Sequence, residues 1–142
     1  MDITLREMLV FPLQERAVLR GYEEFEDLPE NRLLYVYSLE EIAAEKTLAL
    51  ADRARNEPRD LYDLWYLTSN EGIGLGPLAG AMRQKLEFRG KPCEDLADAI
   101  RAKEARLKAL WNSRLGHQMA ALPSFDEVFR AVQPLLRQGD LP

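Results

Sequence analysis

The sequence predicts an α+β fold that is mostly helical, with a short N-terminal strand element followed by a helical bundle. Three observations carry this. Residues 32–37, Arg-Leu-Leu-Tyr-Val-Tyr, form a short run rich in aromatic and β-branched side chains. From Ser38 onward, helix start and stop signals follow one another to the end of the chain. The composition, 46% hydrophobic and 30% charged over 142 residues, is that of a globular chain able to bury a core.

A strand at Met1-Asp2-Ile3-Thr4-Leu5 is the expected partner of the run at 32–37. Two strands alone are marginal, so helices should cover one face. Residues 11–30 carry Pro12, Gly21, Pro29 and an acidic patch, and are expected to be an irregular surface segment. Ser38-Leu39-Glu40-Glu41 fits a capping box, in which Ser38 caps the helix and Glu41 reaches back. That helix is expected to run over 39–55. Pro58 restarts the chain into a second helix over 59–69, with Leu61, Leu64, Trp65 and Thr68 on its buried side. A glycine loop, Gly72, Gly74 and Gly76, has no strand before it and no Gly-Lys-Ser/Thr after it, so it is not a phosphate loop. Helices over 77–89, 95–115 and 125–137 should follow, the last capped by Ser124, with a frayed tail at 139–142.

Bulk chemistry excludes several classes. The net charge is −5, so the chain is not a general nucleic-acid coat, although a local basic site could exist. Cys93 is the single cysteine and His117 the single histidine, which excludes an internal disulfide and a multi-His or multi-Cys metal site. Neither a signal peptide nor a membrane-spanning run of about 20 apolar residues is evident. A cytoplasmic protein without membrane contact is expected. His117 should be solvated or capping, Cys93 structural, and Trp65 and Trp111 core anchors. Arg101, Lys103, Arg106 and Lys108, interleaved with acids, should form a solvated helix face.

Two groups of charged residues stand out. Lys46 and Arg53 lie seven apart, which on a helix returns to nearly one face about 10 Å further along. A point charge and a bidentate clamp at that spacing suit a polyphosphate. In Arg59-Asp60-Leu61-Tyr62-Asp63, the two aspartates share a face and Arg59 can pair with Asp63. A short loop should fold this helix back against the first, bringing Asp60 and Asp63 towards the cations. Such carboxylates could orient or deprotonate a hydroxyl, or could hold the cations in place.

The stretch from Tyr37 to Lys46, then Ala49-Leu50 and Arg53, then Arg59 to Leu67, resembles the AbiEii/AbiGii nucleotidyltransferase toxin family. Lys46 and Arg53 match its Lys-x6-Arg motif, and Arg59, Asp60 and Asp63 match its Arg-Asp-x-x-Asp motif. The resemblance implies a toxin of a toxin–antitoxin or phage-defence system that transfers a nucleotide from an NTP to an acceptor such as RNA. It implies phosphate binding by Lys46 and Arg53, catalysis by Asp60 or Asp63, and support from Arg59. It implies NTP and Mg²⁺ as cofactors and an antitoxin protein as partner. It also divides the chain into partial nucleotidyltransferase-core strands and loop at 1–37 and a helical domain at 38–142. The family's earlier Gly-Ser turn and metal-holding Asp-x-Asp pair have no counterpart here, so these 142 residues supply no metal ligand. The chain is therefore expected to be inactive alone, as the C-terminal part of a divided or truncated enzyme. The alternative is a non-catalytic homologue that binds a nucleotide or a protein, or a second copy of itself through its strand edge.

Overall fold

The computed structural model describes residues 7–18, 32–92, 95–138 and 141–142. Among them are a two-stranded sheet and six α-helices, in the order β1 (Gln14–Ala17), β2 (Leu33–Val36), α1 (Leu39–Ala51), α2 (Pro58–Ser69), a 3₁₀ turn (Gly76–Leu78), α3 (Ala79–Phe88), α4 (Leu96–Arg101), α5 (Glu104–Leu115) and α6 (Phe125–Gln138). The mostly helical α+β class is the one expected.

β2 has a partner strand that the sequence did not predict. β2 pairs antiparallel with β1, Gln14 opposite Val36 and Ala17 opposite Leu33, inside the stretch read as an irregular segment. Gln-Glu-Arg-Ala has little β propensity of its own. Its strand comes from ladder bonds to the strongly β-prone partner, a context that outweighs local preference. The strand expected at residues 1–5 lies outside the described residues.

Ser38 caps α1 as predicted, its Oγ accepting from the Glu41 amide at 3.1 Å. Glu41 itself does not reach back. Its carboxylate is buried and accepts from the Val10 and Phe11 amides at 3.2 and 3.0 Å, while Lys85 donates to it from α3. Lys85, only 1% exposed, also donates to the Met8 carbonyl at 2.6 Å and to Glu45 at 2.7 Å. This buried clasp ties the incoming chain to two helices.

α1 ends earlier than the alanine-rich sequence suggests. Asp52 turns extended, and its Oδ1 accepts from the Ala54 amide at 3.0 Å, a local turn that competes with another helical bond. The long helix expected over 95–115 is broken between α4 and α5. There Lys103 turns inward and donates to the carbonyls of Leu50, Asp52 and Arg55, capping the end of α1 rather than joining a solvated face. α3 closes with Gly90 in the left-handed region (φ 61°), the Lys91 amide bonding back to Leu86 and the Gly90 amide to Glu87. This double bond pattern is the usual glycine stop.

The core lies between α1, α2, α5 and α6, with Leu61, Leu64, Leu107, Leu115 and Val128 fully buried. Trp111 anchors it, donating to the Pro123 carbonyl at 2.9 Å and meeting Phe125 edge-on at 5.5 Å. Trp65 is only partly buried against it. The last residues are docked, not frayed: Leu141 packs on the core and the Pro142 carbonyl accepts from the Leu96 amide at 3.0 Å. No helix among the described residues is long and apolar enough to cross a membrane.

Candidate functional site

α1 and α2 pack extensively on each other and carry the charged cluster between them. Pro58 sets the first turn of α2, so Asp60 falls in that turn, where the helix dipole favours an anion. The small residues Ala43 and Ala44, both fully buried, let the two helices approach closely. Lys46, half a helix along α1, then spans the gap. Its ammonium donates to Asp60 Oδ1 at 2.9 Å and pairs with Asp63 Oδ2 at 2.7 Å.

The two aspartates occupy different environments. Asp60 has 2% of its side chain exposed, and both oxygens are engaged by cations. Lys46 takes one, and Arg55 grips both, Nε to Oδ2 at 2.6 Å and an Nη to Oδ1 at 3.2 Å. Burial pushes the Asp60 carboxyl up, but hydrogen bonds from Arg55 and Lys46 together with their charges outweigh it and hold the group below its ordinary value. Asp63 is 27% exposed and shares Oδ2 between Lys46 and the more distant Arg59, at 3.9 Å. It borders an open hollow of about 290 Å³ lined by Ile42, Tyr62, Tyr66 and Leu67. Burial lowers the Lys46 ammonium, yet its bonds to Asp63 and Asp60 prevail and raise it, so Lys46 is a permanent cation at neutral pH.

Four of the five expected site residues thus meet: Lys46, Asp60, Asp63 and, at the rim, Arg59, which also donates to Gln118 at 2.8 Å. Arg53 does not join them on one helix face. α1 stops at Ala51, so residue 53 lies beyond the helix, and its side chain lines a different hollow. Arg55 takes the place expected of it beside Asp60. Sequence spacing gave no sign of this, because the path of the loop between the helices decides which arginine turns inward.

The profile described as nucleotidyl transferase AbiEii toxin, type IV TA system, matches residues 1–131. The chain belongs to the AbiEii toxin family. No curated protein and no solved structure gives a match. Within this AbiEii chain, the described residues contain no cluster of three or more His, Cys, Asp or Glu able to hold a metal. The two aspartates of the cluster do not fit a magnesium ion as they stand. Mg²⁺ needs free oxygens in an octahedral arrangement, and both Asp60 oxygens are already bound to cations.

Proposed function

We propose that this chain is the phosphate-holding helical part of a nucleotidyltransferase-type toxin of a type IV toxin–antitoxin system, working in the cytoplasm and held in check by an antitoxin protein. One observation carries the reading: Lys46 is fixed between Asp60 and Asp63 with a quarter of its side chain still exposed. An ammonium has three donors, and the two aspartates engage two of them. The third is available to a phosphate oxygen of an NTP. Arg55 and Arg59 add positive charge nearby, so the cluster of three cations and two carboxylates carries a net positive charge.

Asp60 acts as a positioning residue. With three hydrogen bonds from cations and its side chain buried, it aims Lys46 and Arg55 and is poorly placed to reach a substrate proton. Asp63 is the carboxylate that can reach a substrate. It would accept a hydrogen bond from the attacking hydroxyl of an acceptor such as RNA, with Arg59 steadying it. Arg53 lies beyond the end of α1 and lines a neighbouring hollow, and no role in this cluster is assigned to it. When bound, Mg²⁺ supplies charge neutralisation for the transfer. No Asp-x-Asp occurs in these 142 residues, so its ligands are proposed to come from polypeptide outside them, with residues 1–37 as the strand side of the site and 38–142 as the helical side. The same missing pair favours a second reading, a non-catalytic nucleotide-binding homologue. Incorporation of labelled nucleotide into RNA after supplying an Asp-x-Asp half separates the two.

Calorimetric titration with each of the four NTPs and Mg²⁺ tests the phosphate site common to both readings. At least one NTP should bind, and Lys46→Ala should weaken it by about 10- to 100-fold, the worth of one charge-assisted bond. Absence of binding at millimolar NTP, or an unchanged affinity in Lys46→Ala, rejects the site.

A further inference from the structure

The hollow beside Asp63 lies in the seam between α1 and α2. It holds about 290 Å³ and is lined by Ile42, Tyr62, Asp63, Tyr66 and Leu67. Ile42 precedes Lys46 by four residues on α1, and Tyr66 follows Asp63 by three on α2, so the hollow starts about one helical turn, roughly 5 Å, from the charged cluster. Its walls are apolar and aromatic. Leu67 is buried, Ile42 and Tyr62 are half-buried, and Tyr66 is 41% exposed. Trp65 braces the Tyr62 ring at a centroid distance of 5.5 Å, whereas Tyr66 stacks on no ring among the described residues. One polar group closes the hollow on the side of the cluster. Asp63 meets Lys46 at 2.7 Å and Arg59 at 3.9 Å, both through Oδ2. A carboxylate offers about four lone-pair positions, so Asp63 can accept from a ligand as well.

These features select a ligand class. No basic side chain lines the hollow, so a bare phosphate has no partner in it. An aliphatic chain would cover the walls but leave the Asp63 carboxylate facing apolar atoms. A nucleobase uses both parts: its flat face stacks on tyrosine, and its amine or the hydroxyl of its sugar donates to Asp63. The volume sits at the lower end of the range for small-molecule pockets, about 300 Å³. That suits a base with its sugar and sends any phosphates out towards Lys46. We propose that this hollow is a nucleobase subsite, with the Tyr66 ring as its stacking face and Tyr62 as its second wall. The assignment rests on Lys46 as the group that holds phosphate. The base can belong to the NTP whose phosphates Lys46 holds or to the acceptor strand, and Tyr66 serves either through the same contact.

Calorimetric titration of the whole chain with Mg²⁺ and three probes tests this: inorganic triphosphate, each NTP, and a short single-stranded oligoribonucleotide of mixed sequence. Triphosphate carries the charge without a base, so its binding should depend on Lys46 and not on Tyr66. Tyr66→Ala should weaken the NTP or the oligoribonucleotide by about tenfold or more, the worth of one stacked base. Tyr66→Phe keeps the ring and should bind as the parent does. Loss confined to the NTP places the donor base in the hollow, and loss confined to the oligoribonucleotide places the acceptor base there. Tyr66 is exposed enough that the alanine variant should unfold at the parent's urea concentration. The inference is overturned if neither ligand weakens in Tyr66→Ala, if Tyr66→Phe loses as much as Tyr66→Ala, or if triphosphate weakens in step with them. Triphosphate binding that depends on Lys46 would leave the proposed function standing in each case. Absence of binding by all three probes removes both.

Discussion

Asp60 and Asp63 are the same residue type, three apart on one helix, yet burial and cation partners give them different surroundings. Asp60 faces the α1–α2 seam and is saturated by cations, whereas Asp63 meets solvent. The difference has a pH signature. A carboxyl held below its ordinary value in the fold contributes stability that is fully present above its unfolded pKa of about 4 and is lost as pH falls through its folded value. Asp60→Asn should therefore cost about 2 kcal/mol at neutral pH, reduced from the fully buried case because Lys46 and Arg55 keep some solvent. The penalty should shrink as pH falls below about 4, where the unfolded carboxyl takes up its proton, and is lost once the native carboxyl is protonated at its lowered value. Asp63→Asn should cost less at pH 7, under about 1 kcal/mol. Urea denaturation of the three proteins at pH 7 and pH 3 checks this. An Asp60→Asn penalty that persists undiminished at pH 3 would show that packing, not the ion pairs, sets it.

At the scale of the element, the end of α1 is capped by a residue about 50 positions further along the chain. Lys103 donates to three carbonyls there, at 2.5 Å to Leu50, 3.0 Å to Asp52 and a third bond to Arg55. Burial lowers this ammonium, a sign that the contact is partly desolvated. Lys103→Met keeps the stem and removes the donors. It should cost about 1–2 kcal/mol and expose the last-turn amides of α1 to faster hydrogen exchange, with α6 unaffected. Equal exchange in both helices would argue for global destabilisation in place of a lost cap. This residue also shows where sequence reading stops. Signals that act within a few positions were legible: Ser38 at the start of α1, Pro58 at the start of α2, Ser124 accepting from the Glu127 amide, and Gly90 after α3. The Lys46–Asp60–Asp63 grouping was legible too, because two neighbouring helices carry it. The break before α5, the inward turn of Arg55, the strand at Gln14–Ala17 and the diversion of Glu41 were not. Each depends on a partner brought up by the tertiary fold, and no local pattern encodes that partner.

For the whole molecule, the sheet is the part with least support. Among the described residues β1 and β2 pair only with each other, and Leu33, Leu34 and Tyr35 are 56%, 56% and 70% exposed. Neighbouring residues of a strand point to opposite faces, so both faces of the ribbon present apolar side chains to water. Two strands hold poorly by themselves. The chain leading into β1 is fixed to the helices chiefly through polar groups: the Met8 carbonyl on Lys85 and the Val10 and Phe11 amides on Glu41. Lys85 is nearly inaccessible and bridges Glu41 and Glu45, and Arg89 also holds Glu45. Lys85→Met should thus strand a buried carboxylate and cost about 3–5 kcal/mol. Glu41→Gln added to Lys85→Met removes that stranded charge while keeping an acceptor for the two amides, and should recover part of the loss. Hydrogen exchange separates attachment from general stability. In Lys85→Met, the Val10 and Phe11 amides should lose protection before the α2 and α6 core does, because their acceptor is then free to turn towards water. If those amides stay as protected as the core, the ribbon is held by side-chain packing around Phe11, and the buried ion cluster is not its anchor.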